Sequence, residues 1–352
     1  MKVVGFLLLC TWYVESNTNS AQKLDHRVGI QMNKNSKIYV AGHTGLVGTA
    51  LVSLLREKGY YNLILKTHQE LDLRDQNAVN QFFAQEQPEY VFLLAARVGG
   101  IKANMTFPAQ FIYDNLMITS NVIHAAYTHN VKKLLFLGSS CIYPRDCAQP
   151  IKEEYLLSGP LEQTNAPYAL AKIAGLELCA SYFRQYGAQF ISCMPTNLYG
   201  PHDNFDAEQS HVIPGLIKKI YQAHINNESH VALWGTGKVK REFLFAPDCA
   251  RGLLFLMQNY TEMQHINLGS GFECSIEQLA HSIKEIIGYR GTILFNNAVA
   301  DGTPRKLLDC SKLEQLGWCA RTNIYEGLQT TIAWYIQQQV LTSAQIIREK
   351  RI

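Results

Sequence analysis

A glycine-bearing turn between a predicted strand and a predicted helix restricts the fold of this chain more than any other feature. The segment Gly42-His-Thr-Gly45-Leu-Val-Gly48 follows an apolar strand at residues 37–41 and precedes a helix at 49–58. Glycines let the backbone turn sharply and approach a pyrophosphate, and the amides at a helix N-terminus attract anions. A tight turn with close helix packing would use the same glycines, but the strand-turn-helix context favours a dinucleotide-binding βαβ unit.

Strands and helices alternate through the first two hundred residues. Apolar strands are predicted at 37–41, 62–65, 90–95, 133–138 and 189–194, and helices at 49–58, 76–85, 108–130 and 167–186, with a break suggested near the start of the third helix. This alternation predicts an α/β fold with a doubly wound, Rossmann-type parallel sheet. After about residue 199 the loops lengthen around elements at 214–226, 231–235 and 275–287, which indicates a smaller C-terminal α/β lobe for substrate.

This pattern predicts three regions. Residues 1–36 form an N-terminal extension, residues 37–200 an NADP-binding Rossmann domain to which some later segments return, and residues 201–340 most of a substrate-binding lobe. The apolar run at 3–14 superficially resembles a secretion signal, but it is too short to span a bilayer as a helix. An extension or a mis-chosen start codon is the favoured interpretation over a working signal.

Composition excludes several functional classes. The 352 residues carry a net charge of only +3, which is too weak to indicate a nucleic-acid partner. The nine cysteines are odd in number and form no C-x-x-C pair, so a reducing, cytoplasmic compartment is expected. Neither a metal site nor a membrane association is predicted.

The residues after the second strand bear on the choice of dinucleotide. NAD-binding enzymes usually place an acidic residue there to grip the ribose 2′-hydroxyl. Here Lys66, Thr67 and His68 follow the strand, and Glu70 is the first acidic residue. A cationic group suits the 2′-phosphate of NADP, although Lys66 could also be a solvated charge. The sequence therefore favours NADP(H).

Three residues form a candidate set for carbonyl reduction. Tyr168 and Lys172 are four residues apart, so they lie on one face of the predicted helix. An ammonium beside the phenol is expected to lower its pKa by stabilising the phenolate. Ser139 ends the strand at 133–138, and the carboxyl ends of such strands are where α/β folds bind ligands. Together these residues would orient a carbonyl and supply its proton.

A thiol and an imidazole extend this set, and each could instead be a residue with no catalytic role. Cys141 stands two positions beyond Ser139, on the same side of an expected extended segment, where a thiolate could remove the acidic proton next to a sugar ketone. A small buried hydrophobic residue is the equally weighted alternative. His211 is a natural proton donor near neutral pH, but most of the eleven histidines must have no catalytic role.

Several long strings in the sequence resemble the GDP-L-fucose synthase family, within the extended short-chain dehydrogenase/reductases. They are AARVGGI at 95–101, LGSSCIYP at 137–144, YALAKIAG at 168–175, MPTNLYGPHDNF at 194–205, REF at 241–243 and DGTPRK at 301–306. The resemblance covers about residues 37–334. It implies a homodimeric enzyme that epimerises the two carbons flanking the ketone of GDP-4-keto-6-deoxy-D-mannose and then reduces the ketone with NADPH.

The resemblance also implies roles for individual residues. Cys141 would be the epimerisation base and His211 the acid, whereas Ser139, Tyr168 and Lys172 would serve the reduction. The implied cofactor contacts are Gly42, Thr44, Gly45, Leu46, Val47, Gly48, Lys66, His68, Asp72, Leu73, Leu137, Gly138, Lys172, Pro195, Thr196, Asn197, Leu198 and His211. The implied GDP-sugar contacts are Lys219, Trp234, Arg241 and Asp301.

The chain departs from the family pattern at three of these positions. Thr44 and His68 stand where bacterial members usually carry arginines for the 2′-phosphate, and Lys66 would have to compensate. Lys219 replaces an arginine found in some members, which is a milder change for a diphosphate contact.

Three rival functions share this scaffold. A dehydratase would need a carboxyl acid and base where Ser140 and Cys141 stand. A 4-epimerase would retain NAD without net consumption of NADPH. A non-catalytic dinucleotide sensor would have no need for the five candidate catalytic residues together.

Overall fold

The computed structural model describes residues 32–206, 210–296 and 305–349. The first part contains β1 (Ile38–Ala41), α1 (Leu46–Glu57), β2 (Leu63–Ile64), α2 (Gln76–Glu86), β3 (Tyr90–Leu93), α3 (Ile101–Thr106), α4 (Pro108–Thr128), β4 (Lys133–Leu137), α5 (Ala166–Tyr186), β5 (Phe190–Pro195) and β6 (Asn197–Tyr199). Short 3₁₀ helices occupy Ser140–Ile142 and Glu153–Tyr155. The predicted N-terminal extension at 1–31 and the predicted contact Asp301 lie outside the described residues.

The second part contains helices and short strands in mixed order. These are α6 (Val212–Ile225), β7 (His230–Trp234), β8 (Lys240–Phe245), α7 (Ala246–Asn259), β9 (Ile266–Leu268), β10 (Glu273–Ser275), α8 (Ile276–Ile287), β11 (Thr292–Asn296), β12 (Arg305–Lys306), α9 (Ser311–Gln315) and α10 (Ile324–Glu349). No helix within the described ranges is both long and apolar enough to cross a membrane.

Six parallel strands form the central sheet in the order β2-β1-β3-β4-β5-β9. Strands β1, β3 and β4 are buried along their whole length, because helices cover both sheet faces. The strand order reverses between β1 and β3, which places a ligand crevice at their carboxyl ends. The predicted α/β class with a doubly wound parallel sheet is therefore confirmed.

Two apolar layers hold helices against this sheet. On one face, Leu51 and Leu55 of α1 pack with Leu253 and Leu256 of α7. On the other, α2, α4 and α5 bury side chains such as Phe83, Val122 and Cys179. The sequence analysis assigned neither α7 nor β9, yet both belong to this sheet layer, so the chain returns to the sheet after leaving it at β5.

A second, smaller layer of mixed strands carries the C-terminal residues. Strand β8 pairs with β10 in antiparallel and with β6 and β12 in parallel, while β7 pairs with β11. Its core is formed largely by α6, α8 and α10, with buried residues that include Ile217, Leu279 and Leu328. This agrees with the predicted C-terminal α/β lobe, whereas the boundary at residue 200 stays a prediction.

Element boundaries differ slightly from those expected. Helix α1 begins at Leu46 rather than at residue 49, so Leu46, Val47 and Gly48 are helical. The helix expected at 108–130 is a separate element, α4, since Phe107 has a non-helical conformation between α3 and α4. The break suggested near the start of that segment is absent, because α4 runs unbroken from Pro108 to Thr128 and the interruption at Phe107 lies before it.

Lys133 connects the sheet to the end of helix α7. Its side chain is buried, and its Nζ donates to the carbonyl oxygens of Leu256, Met257 and Tyr260 at 3.2, 2.7 and 2.6 Å. An ammonium at a helix C-terminus satisfies carbonyl groups that have no partner within the helix and complements the helix dipole.

We expect Lys133→Met to lower the free energy of unfolding by about 2–3 kcal/mol, because buried carbonyl oxygens lose a charged donor. Urea denaturation measures this change. Lys132→Met is the matched control, since the exposed Lys132 pairs only with Glu89 at the surface and should cost less than about 1 kcal/mol. Equal losses in the two variants would contradict this assignment.

Candidate active site

A deep cleft of about 1830 Å³ lies at the carboxyl ends of the parallel strands. Residues following β1, β3, β4 and β5 line it together with residues of α6, β7 and β8 from the C-terminal lobe. This cleft thus coincides with the crevice that the strand order predicts.

The glycine turn forms one wall of this cleft. Gly42 has φ of +87°, and a Cβ atom there would lie 2.8 Å from the backbone nitrogen of Ala95. A Cβ on Gly48 would overlap the carbonyl oxygen of Gly42. Gly45 is the N-cap of α1 and provides no side-chain cap, so the first amides of the helix are available to an anion. The turn therefore fits a dinucleotide pyrophosphate.

Every residue predicted to contact the cofactor lines this cleft. They are Gly42, Thr44, Gly45, Leu46, Val47, Gly48, Lys66, His68, Asp72, Leu73, Leu137, Gly138, Lys172, Pro195, Thr196, Asn197, Leu198 and His211. Of the predicted substrate contacts, Lys219, Trp234 and Arg241 also line it. Their contacts with ligands remain predictions.

Charged side chains cluster at the end of the cleft beyond β2. Arg74 makes a bidentate contact with Asp72, and this hydrogen bonding lowers the pKa of Asp72 to about 2. Arg74 also reaches Asp114 at 3.3 Å, and Arg97 reaches the same carboxylate at 3.1 Å. His68 lies 3.8 Å from Asp72. The sequence analysis did not single out Arg74, although it adds a cation beside Lys66 and His68.

Helix α5 brings Tyr168 and Lys172 to the end of β4, as their spacing predicts. Lys172 is 2% exposed, and its Nζ donates to the carbonyl oxygen of Leu137 at 2.8 Å. Burial lowers the pKa of Lys172 to about 8. Its Nζ lies 5.7 Å from the centre of the Tyr168 ring.

The expected lowering of the Tyr168 pKa is wrong for this structure. Burial raises the pKa of Tyr168 well above its ordinary value, and the neighbouring Cys141 raises it further, whereas a hydrogen bond with Ser139 opposes the shift. The ammonium of Lys172 does not reverse this shift, since its hydrogen bond is directed to the backbone of Leu137. Tyr168 is therefore a neutral hydrogen-bond donor near pH 7.

Cys141 lies on the 3₁₀ helix rather than on the extended segment that was expected. The Oγ of Ser139 caps this helix by accepting from the backbone nitrogen of Cys141 at 3.2 Å. The sulfur is half-buried and receives Asn165 Nδ2 at 3.4 Å and Lys306 Nζ at 3.8 Å. Two polar donors at a partly exposed sulfur do not fit the alternative of a small buried hydrophobic residue.

His211 is the N-cap residue of α6 and faces the same cleft. Desolvation lowers its pKa, so its neutral form is favoured. Asp203 lines the cleft from the preceding loop, and burial raises its pKa to about 7. Among the described residues, one carboxylate oxygen of Asp203 is buried and has no hydrogen-bond partner. The sequence analysis did not propose a role for Asp203, and the string at 194–205 was the available signal.

The far end of the cleft combines cations with an exposed aromatic ring. Lys219 Nζ lies 4.6 Å from the centre of the Trp234 ring, and Trp234 is 67% exposed. Arg241 lies on β8, next to Lys306 in the β8–β12 pairing. Within the described residues, no group of three or more His, Cys, Asp or Glu side chains could hold a metal ion.

The sequence alone did not predict the contacts of Asn165 and Lys306 with the Cys141 sulfur. Asn165 precedes Tyr168 by one helical turn, and Lys306 ends the string at 301–306. Lys306 follows Cys141 by 165 residues. The pairing of β12 with β8 in the folded chain brings Lys306 to the cleft, where its side chain contacts the sulfur. Neighbouring sequence contains no signal for such a contact.

The parallel sheet, the glycine turn and the Ser139, Tyr168 and Lys172 set define a dinucleotide-dependent enzyme of the epimerase and reductase class. The sequence profile of the NAD dependent epimerase/dehydratase family matches residues 38–269.

Named relatives narrow this class. A putative GDP-L-fucose synthase 2 from Arabidopsis thaliana is 51% identical over 92% of this chain and 98% of its own. A GDP-L-fucose synthetase from Naegleria fowleri bound to NADP is 34% identical, with a TM-score of 0.83 over 88% of this chain and 96% of its own. A GDP-6-OMe-4-keto-L-xylo-heptose reductase from C. jejuni is 41% identical, with a TM-score of 0.83 over 88% of this chain and 99% of its own. The chain belongs to the NAD dependent epimerase/dehydratase family and, within it, to the GDP-L-fucose synthases.

We expect Gly42→Ala to weaken dinucleotide binding by at least about tenfold, because a side chain at this positive φ collides with Ala95 and displaces the turn. Titration of nicotinamide fluorescence with NADPH measures the change. Gly59→Ala is the control, since Gly59 also has a positive φ, +82°, but does not line the cleft. Unchanged binding in Gly42→Ala would contradict the role of the turn.

Proposed function

We propose that this protein converts GDP-4-keto-6-deoxy-D-mannose to GDP-L-fucose with NADPH, by epimerisation at C3 and C5 followed by reduction at C4. The observation that carries this proposal is the position of the Cys141 sulfur. It lies in the same cleft as Ser139 and Tyr168 and is 3.4 Å from the side chain of Asn165, which is the N-cap of the helix that carries Tyr168. A ketone held by the hydroxyl groups would therefore present its neighbouring carbons to the thiol.

NADP(H) fits the wall of the cleft that the glycine turn forms. The amides at the start of α1 would bind its pyrophosphate, and the side chains of Lys66 and His68 would bind its 2′-phosphate. When bound, NADPH supplies the hydride for the reduction. Lys172, buried beneath the phenol, would hold the nicotinamide ribose.

The GDP-sugar fits the C-terminal lobe. Lys219 and Arg241 supply positive charge for the diphosphate, and the exposed ring of Trp234 offers a stacking surface for guanine. Burial lowers the pKa of Lys219, so an anionic ligand would also stabilise its charged form. The predicted contact by Asp301 is part of this proposal, although Asp301 lies outside the described residues.

Epimerisation would use the acidity of the two C–H bonds beside the ketone. The thiolate of Cys141 removes a proton from one carbon, and the electron pair moves onto the ketone oxygen as an enolate. Ser139 and Tyr168 donate hydrogen bonds to this oxyanion, which is where preorganised donors contribute most. His211, whose neutral form is favoured, must first take up a proton from solvent, which it then returns to the opposite face of the carbon. Lys306 and Asn165 stabilise the anionic sulfur by their contacts with it.

Reduction would follow at the same carbonyl. As hydride adds to C4, the oxygen takes the proton of Tyr168, which burial keeps protonated at neutral pH. The charged amine of Lys172 stabilises the phenolate that remains. One pair of hydroxyl groups thus stabilises the enolate first and the alkoxide later.

The proposal extends to assembly and location. We infer a homodimer formed through the outer faces of α4 and α5. There the rings of Tyr127 and Tyr186 stack with their centres 4.4 Å apart, and Tyr186 is 50% exposed. We infer a cytoplasmic location, because all eight cysteines of the described residues are free. The division into a cofactor-binding part at 37–200 and a substrate-binding part at 201–340 belongs to the same proposal.

Reduction without epimerisation is the second candidate, which the similarity to the C. jejuni reductase favours. The two functions differ in one measurable step. An epimerase exchanges the protons next to the ketone with solvent, whereas a simple reductase does not.

We expect Cys141→Ser to slow deuterium exchange from D₂O into GDP-4-keto-6-deoxy-D-mannose by at least about 100-fold, because the general base is lost. Tyr168→Phe should slow NADPH oxidation by a similar factor while it retains more of the exchange. Mass spectrometry of the sugar and absorbance at the nicotinamide band measure the two steps. Cys147→Ser, at another half-buried cysteine, is the control, and full exchange in Cys141→Ser would refute the thiol base.

A further inference from the structure

A buried polar network lies behind Cys141, and the catalytic roles described above do not use it. Tyr143 follows Cys141 by two residues and is 3% exposed. Its hydroxyl donates to Asn267 Oδ1 at 2.5 Å and lies 3.1 Å from His265 Nε2. Asn267 is fully buried on β9, and His265 directly precedes that strand. The network therefore joins the catalytic loop to the last strand of the parallel sheet.

The hydrogen bonds of this network have a defined direction. Asn267 Nδ2 donates to the carbonyl oxygens of Ile151 and Asp309 at 2.9 and 3.1 Å, so Oδ1 faces Tyr143. The single hydroxyl hydrogen of Tyr143 is directed to that Oδ1, and its oxygen then accepts from His265 Nε2. Burial lowers the pKa of His265 to about 4, so the ring is neutral. Because the Tyr143 hydroxyl donates to Asn267, its contact with His265 requires the tautomer that carries the proton on Nε2.

Asn267 holds together the two segments that meet at the sulfur. Through Tyr143 it contacts the loop that carries Cys141, and through Asp309 it contacts the segment that carries Lys306. The second segment is further fixed by Leu308, whose backbone nitrogen donates to the buried carboxylate of Glu242 at 3.0 Å. The 3.8 Å contact between Lys306 Nζ and Cys141 Sγ thus depends on side chains that do not touch the sulfur.

The reducing residues have an anchor of their own, in addition to the contact that Asn165 at the start of α5 makes with the sulfur. Lys172 is tied to the carbonyl oxygen of Leu137, which precedes the 3₁₀ helix, and Tyr168 belongs to the same helix α5. Loosening the segment after Cys141 would therefore move the thiol and its ammonium partner before it moves Tyr168 and Lys172.

We propose that Tyr143 and Asn267 are positioning residues that hold the Cys141 sulfur against Lys306 and so determine how completely the ketone is epimerised before it is reduced. This inference rests on the proposed function and adds a structural control of the ratio between its two steps. A poorly placed thiol would leave hydride transfer intact, and the enzyme would then release a 4-reduced sugar that has not been epimerised.

Tyr143→Phe tests the proposal, because it removes one hydroxyl, keeps the ring and leaves Asn267 Oδ1 without its donor. We expect deuterium exchange into the keto sugar to fall by about tenfold, in line with the loss of one buried hydrogen bond. NADPH oxidation should fall by less than about threefold. Chromatography of the products should reveal the un-epimerised reduced sugar beside GDP-L-fucose.

Tyr260→Phe is the matched control. Tyr260 is 7% exposed, does not line the cleft, and its hydroxyl donates to the carbonyl oxygen of Gln264 at 2.6 Å. Its loss should lower stability but leave the ratio of exchange to reduction unchanged. If Tyr143→Phe lowers the rates of deuterium exchange and NADPH oxidation by the same factor, their ratio is unchanged, as in the control, and the positioning role is refuted.

Alkylation of Cys141 by iodoacetamide provides a readout that needs no substrate. The ammonium of Lys306 favours the anionic sulfur, so separating them in Tyr143→Phe should slow alkylation of Cys141 by at least about threefold, relative to the exposed Cys319. An unchanged rate overturns the proposal.

If the wild-type protein exchanges no deuterium, the proposed function fails, while the alkylation rate still tests the network. Should Tyr143→Phe not fold, His265→Ala removes a donor from the same hydroxyl and should shift both readouts in the same direction.

Discussion

The hydrogen bond from Lys172 Nζ to the carbonyl oxygen of Leu137 is the contact on which the reducing residues of the site depend. It ties helix α5 to the end of β4, a strand that is buried along its whole length. Gly138 follows at a point where a Cβ would overlap the Met194 side chain, so the chain has little freedom before Ser139. The phenol and the first hydroxyl are therefore placed by the core of the sheet, and a loop movement cannot easily separate them.

The thiol depends on a different set of contacts. Cys141 belongs to a short 3₁₀ helix that contacts Asn267 of β9 through Tyr143, Lys306 of β12, and Asn165 at the start of α5. The site thus has two anchors, one in the parallel sheet for reduction and one across both layers for epimerisation. Related enzymes of this family include a reductase as well as GDP-L-fucose synthases. Separate anchors would allow the epimerising step to change while the reducing step is kept.

Local sequence was sufficient to predict the sheet, the glycine turn and the pairing of Tyr168 with Lys172, because each follows from a short hydrophobic repeat or from a fixed spacing of residues. It was not sufficient for the raised pKa of Tyr168, because burial depends on residues that pack from elsewhere in the chain. Strand β9 has only three residues and no periodic pattern, so its return to the sheet was not assigned. The contact of Lys306 with Cys141 joins residues far apart in sequence, and no spacing rule predicts it.

The central claim is that a thiol, a serine hydroxyl and a phenol act on one sugar ketone in a single cleft. The most direct measurement is nuclear magnetic resonance of the GDP-sugar formed by the wild-type protein from GDP-4-keto-6-deoxy-D-mannose and NADPH in D₂O. We predict GDP-L-fucose with deuterium at both C3 and C5 and hydrogen from NADPH at C4. A reduced product that retains hydrogen at C3 and C5, with the configuration of the substrate, would contradict it.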